Sequence, residues 1–219
     1  QAKVAFELKE QGEGTLVTWF MDSSLPFFLF WMKKMTEGFI GMDYDRGLKM
    51  LKDYVEDGEV HSKLAFKGVT QFEGAKYIAI NTECSIKDMP ENSKRDFTKL
   101  MTYMRDNHAD IMDKAMSIYH KWDMRKQRVN YSACAIVSEI PKDLPADFIT
   151  GEYPKSEVYT VHHTGPYPHI GNAWTAQMMR QRGKVFKPSK KLHPFEYYIN
   201  SPFDTEELAL ETEVMFPLA

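Results

Sequence analysis

Residues 159–183 read YTVHHTGPYPHIGNAWTAQMMRQRG. Tyr159 to His163 alternates as a strand. Gly165 and Pro166 form a tight turn. Tyr167 follows, and an amphipathic helix then carries Ala173, Trp174 and Met178. Residues 68–84, GVTQFEGAKYIAINTEC, open in the same manner. Tyr77 precedes Tyr159 by 82 positions, and Thr82 precedes Thr164 by the same interval. A duplicated strand–helix–strand unit folds into two mirrored halves with a groove at their seam. The chain thus points to a small-molecule groove more directly than to any reaction.

Composition narrows the class. With 219 residues, 43% of them hydrophobic, the chain can bury one large or two small cores. Its formal net charge of −3 supplies no field to draw in nucleic acid or an anionic membrane. The longest apolar run, Leu25 to Met32, falls short of the about 20 residues a membrane span needs. No secretory signal is readable. Cys84 and Cys134 lie in apolar runs without a CxxC pair, which fits reduced, buried thiols and a cytoplasmic location. The chain opens on Gln1 rather than Met, which implies that something preceded it.

Alternation predicts a hairpin over residues 2–9 and 14–21, closed by a turn from Gln11 to Gly14. Helical spacing then runs from about 27 to 56, with Trp31, Met35, Phe39, Met42, Leu48, Leu51 and Val55 near one stripe. Gly38, Gly41 and Gly47 are expected to weaken or bend its middle. Residues 57–62 read as a linker. Strands follow at 66–71 and 76–84. A helical pattern then extends to about 124, interrupted near 107–109. Further strands are expected at 129–138, 148–153, 157–163, 195–200 and 209–216, with 148–163 forming a hairpin. A helix occupies about 168–183 and ends at Gly183. The fold class is α+β: duplicated strand–helix–strand–strand units with pseudo-twofold symmetry, antiparallel sheets, and an N-terminal hairpin and long helix.

The chemistry concentrates in HPFEYYIN, residues 193–200. Period two puts Glu196 and Tyr198 on one strand face, opposite Phe195, Tyr197 and Ile199. A carboxylate among aromatic rings either shifts its pKa or waits for a cation. The alternative is a Glu196 that faces solvent or pairs with Arg128 or a lysine. Tyr167, Trp174 and Tyr198 can supply flat walls for a cation. Trp174 can equally be plain core. His162, His163, His169 and His193 lack HxxxH or HExxH spacing, so no metal site is expected. No GxSxG elbow and no phosphate loop is present, so no catalytic triad and no cofactor is expected. Glu206, Glu207, Glu211 and Glu213 read as a solvated rim.

Two resemblances arise from these residues. LVTWFM (16–21) with FLFWMKKMTEGFIGMDYDRGLKMLKDYVE (28–56) is similar to the end of a START-related (SRPBCC, polyketide-cyclase-like) domain, which makes 1–57 the C-terminal remnant of one. His163, Gly165, Pro166 and Tyr167, then Ala173–Trp174, Gly183, Glu196 and Tyr198, and the terminal run from Thr212 to Leu218 come in an order that resembles the GyrI-like small-molecule-binding domain. That domain also serves as the effector-binding part of AraC- and MerR-type transcription regulators. The likeness spans residues 62–219. It implies pseudo-symmetric halves and an aromatic groove with a strand carboxylate. Carried over, that carboxylate is Glu196, the aromatics are Tyr198, Tyr167 and Trp174, His163 precedes the turn, and Tyr131 is the first-half aromatic.

The expected function is capture of an aromatic or cationic amphiphile by a sensor or sequestering module. The alternative is a GyrI-like hydrolase of strained electrophiles, with Glu196 as general base beside Tyr198. The partner is a small-molecule ligand, with no nucleic acid within this chain and no membrane. Phe27, Phe30, Trp31 and Met35 leave open a homo-oligomer or a missing N-terminal domain.

Overall fold

The computed structural model describes residues 2–219, which divide into two compact units. The first holds residues 2–60 and Met124–Lys126, the second His61–Asp123 and Gln127–Ala219. In the first, β1 (Lys3–Gln11) and β2 (Gly14–Asp22) pair antiparallel. A 3-10 turn, Phe27–Met32, leads into α1 (Lys33–Asp57). The helix runs through all three of its glycines unbroken. Gly47 has a packing reason: a Cβ there would lie 2.6 Å from Trp19, whose ring stacks on Tyr44 at 4.0 Å. No residue from 2 to 60 is buried, and Phe27 is 88% exposed.

The second unit is one eight-stranded antiparallel sheet with two helices. Its strands are β3 (Lys63–Phe72), β4 (Ala75–Ser85), β5 (Met112–Asp123), β6 (Arg128–Val137), β7 (Ile149–Tyr153), β8 (Ser156–Thr164), β9 (Phe195–Tyr198) and β10 (Glu211–Pro217). The helices are α2 (Met89–Asn107), after β4, and α3 (Gly171–Arg182), after β8. The sequence of elements is thus strand–strand–helix–strand–strand, twice. In space the order is β3-β8-β10-β9-β5-β6-β4-β7. Matching the first set of five elements to the second makes that order a palindrome about the β9–β5 seam. The leading strand of each half pairs with the other half: β3 lies on β8, and β7 on β4.

Three sequence expectations change here. The helical pattern expected to reach 124 stops at Asn107, and 112–123 is strand β5. Met116, Ser117, Ile118 and Tyr119 are all buried, so both faces of β5 are covered and no period of two shows in its sequence. The hairpin expected over 148–163 is two strands that do not pair with each other, because each has been claimed by a different neighbour. The 82-residue interval is also wrong in parity. Tyr77 packs with Ala79, Cys134 and Phe195, while Tyr159 packs with Trp174, Val161 and Val214 on the opposite, helix-bearing face. The repeat holds for elements and not for those residue pairs.

Gly165 meets the demand of its turn. Its φ is +137°, and a Cβ there would strike the His61 carbonyl. No helix among the described residues is long and apolar enough to cross a membrane. Both cysteines are free and buried.

Candidate functional site

Strand β9 lies at the seam, between β10 and β5. Glu196 pairs with Val214 on one side and Ser117 on the other. Its side chain is on the face carrying α2 and α3 and is 4% exposed. The expectation of an outward or arginine-paired Glu196 therefore fails: Arg128 pairs with Glu83 instead. Trp174 Nε1, from α3, donates to Glu196 Oε1 at 2.5 Å. Tyr198 Oη donates to Oε2 at 2.7 Å and lies 2.8 Å from Ser117 Oγ, so a short relay joins β5 to the acid. The Tyr119 hydroxyl also acts on the carboxylate, favouring its charged form. No lysine or arginine pairs with Glu196 among the described residues.

Rings enclose this acid. Tyr119 meets Trp174 edge-on at 4.9 Å and stacks on Trp122 at 5.7 Å. Phe97 of α2 and Tyr167 each meet Tyr198 edge-on, at 5.6 and 5.5 Å. Burial pushes the Glu196 carboxyl above its ordinary range, against the opposing hydrogen bonds of Trp174, Tyr198 and Tyr119. Burial, and then Glu196 itself, pushes the Tyr167 hydroxyl up to about 12. Such an acid can hold a delocalised cation in a dry aromatic setting, where the attraction is little screened.

Four expected site residues meet here: Glu196, Tyr198, Tyr167 and Trp174. Tyr131 and His163 are engaged elsewhere. Tyr131 Oη donates to Asp96 Oδ2 at 2.7 Å. His163 is fully buried, with Nε2 3.1 Å from Ser62 Oγ, which also accepts from Asn172 at 2.8 Å. Burial first, then His169 and His162, lowers His163 to about 4, so it is neutral; it ties the end of β8 to Ser62 before β3, and Asn172 at the start of α3 holds the same hydroxyl. Glu213, expected on a solvated rim, is buried and pairs with Lys67. Sequence reasoning missed Ser117, Tyr119 and Trp122, all on the segment read as helical, and Phe97. Among the described residues no group of His, Cys, Asp and Glu is arranged to hold a metal.

A protein-family model described as the GyrI-like small molecule binding domain matches residues 70–219. No curated protein gives a significant match. Among solved structures, EcmrR in a complex with DNA superimposes with a TM-score of 0.59 at 17% identity, covering 87% of this chain and 69% of that one. The isolated C-terminal domain of EcmrR gives 0.55 at 16% identity, covering 72% and 98%. SAV2435 bound to tetraphenylphosphonium gives 0.52 at 13% identity, covering 71% and 94%. At these identities the likeness establishes the fold. The family match begins at residue 70, and none of these comparisons supports a START-related origin for residues 1–57.

Proposed function

The chain belongs to the GyrI-like small-molecule-binding family, and from that premise we propose that its seam binds a delocalised aromatic cation. One observation carries the reading: Glu196 is a buried carboxylate with aromatic hydrogen-bond donors and no cationic side chain beside it among the described residues. A buried charge without a counter-charge is costly. A cationic ligand removes that cost while its rings pack on Trp174, Tyr119 and Tyr198. Each cation–ring contact adds roughly 0.5–2 kcal/mol. Phe97 and Tyr167 are half-buried and flank Tyr198, so entry requires these rings to swing aside.

SAV2435, a structural neighbour, has been seen with tetraphenylphosphonium, a cation of this class. The binding reading is favoured over hydrolysis. Both Glu196 oxygens already accept from Trp174 and Tyr198, an arrangement that holds charge rather than one that takes a proton from water. The module then acts as a sensor or a sequestering domain.

Calorimetric titration of tetraphenylphosphonium into wild type and Glu196→Gln tests this. The expected result is saturable binding by wild type and at least about tenfold weaker binding by the variant, the loss of one unscreened charge contact. Equal affinities would remove Glu196 from the site.

A further inference from the structure

The Trp122 indole is the loose end of the aromatic cluster. Its N–H is buried and has no hydrogen-bond partner among the described residues. Indole N–H groups in protein interiors are normally satisfied, because leaving one unpaired is costly. Trp174, 6.5 Å away ring to ring, spends its own N–H on Glu196. Trp122 has no such outlet.

Its place in the site is a consequence of backbone geometry. Tyr119 pairs with Tyr131, and Lys121 with Asn130, so the register slips by one residue at His120. Without that bulge Tyr119 and Trp122, three apart, would point to opposite faces. With it they share the helix-bearing face and stack at 5.7 Å with an interplanar angle of 21°. The chain therefore departs from a regular strand and thereby brings a second indole to the acid-bearing cluster.

Resting on the cation-binding reading above, we infer that Trp122 is a specificity residue: its N–H donates to an acceptor atom on the ligand. The preferred ligand class is then a delocalised aromatic cation that also carries an oxygen or nitrogen acceptor. Charge is read by Glu196 and the acceptor by Trp122, from one aromatic cluster.

Two probes separate these parts. Tetraphenylphosphonium has charge and rings but no acceptor. Rhodamine 6G has charge, rings and an ester carbonyl. Trp122→Phe keeps a ring and removes the donor. The expected result is an affinity for rhodamine 6G weakened by about five- to tenfold more than that for tetraphenylphosphonium, which still binds. Equal losses for both probes, or no loss for either, would overturn the assignment. Binding of tetraphenylphosphonium doubles as the check that the variant is folded. Should Trp122→Phe not fold, the indole proton resonances of the wild type carry the test. One of them moves downfield with rhodamine 6G and stays with tetraphenylphosphonium; no such difference overturns the assignment. If neither cation binds wild type, the parent reading falls and takes this one with it. If both bind and only Glu196→Gln matters, the parent stands and Trp122 is excluded.

Discussion

The molecule buries two carboxylates on the same face of one sheet, and it treats them differently. Asp96, on α2 in the first half, is 2% exposed and fully partnered. Thr82 Oγ1 and Tyr131 Oη each donate to its Oδ2 at 2.7 Å, and Arg95 grips Oδ1 at 2.8 and 3.0 Å. Glu196, at the seam, is buried to the same degree, but among the described residues its side-chain partners are indole and phenol groups. The first arrangement closes the account of charge within the chain and holds α2 to β4 and β6. The second leaves the charge open. On the reading proposed above, equal burial separates a structural acid from a binding acid by one criterion, the presence of a cationic side chain.

Removing Asp96 is expected to have the largest effect on stability. Asp96→Ala leaves the buried Tyr131 hydroxyl without its acceptor, along with that of Thr82, and is expected to cost about 2–4 kcal/mol in urea unfolding. A loss below about 1 kcal/mol would erase the distinction between the two acids. Tyr131→Phe comes next. It removes one of these hydrogen bonds and is expected to cost about 1 kcal/mol. Its affinity for tetraphenylphosphonium should stay within about twofold of wild type. A large loss of affinity would return Tyr131 to the ligand site and blur the comparison.

Glu196→Gln is expected to move stability least, and its effect should depend on pH. Burial raises the folded-state pKa of Glu196. A raised carboxyl contributes stability while protonated, and that contribution fades as pH climbs from the ordinary value of 4.5 through the raised one. Glutamine does not titrate. The variant should therefore match wild type to within about 1 kcal/mol in acid and gain on it towards neutral pH. Tm measured for both proteins across that window checks this, and a constant difference would mean that Glu196 is already compensated.

Much of this was legible in the chain itself. FEYY placed Glu196 and Tyr198 on one face because a strand alternates, whatever its neighbours do. The turn at Gly165 and the helix holding Trp174 were equally local. What could not be read was anything decided by partners. β5 is covered on both faces, so its pattern lost the period of two and passed for helix. With it went Ser117 and Tyr119, and also Trp122, whose facing depends on a bulge that only the β5–β6 register reveals. Asp96 sits among charged residues on α2, where nothing in KRDF marks one acid as buried. The exchange of β3 and β7 was hidden for the same reason: each follows or precedes its sequence neighbour closely but pairs at a distance.

That exchange has a consequence for how the protein comes apart. Each half lends a border strand to the other, so neither can detach without opening a slot in its counterpart. The halves are clasped, and the carboxylate sits where the grip is centred. The floor of the site therefore cannot fray on its own. On the proposed reading, a visiting molecule then meets a base already set in place, with only the overlying rings left to yield.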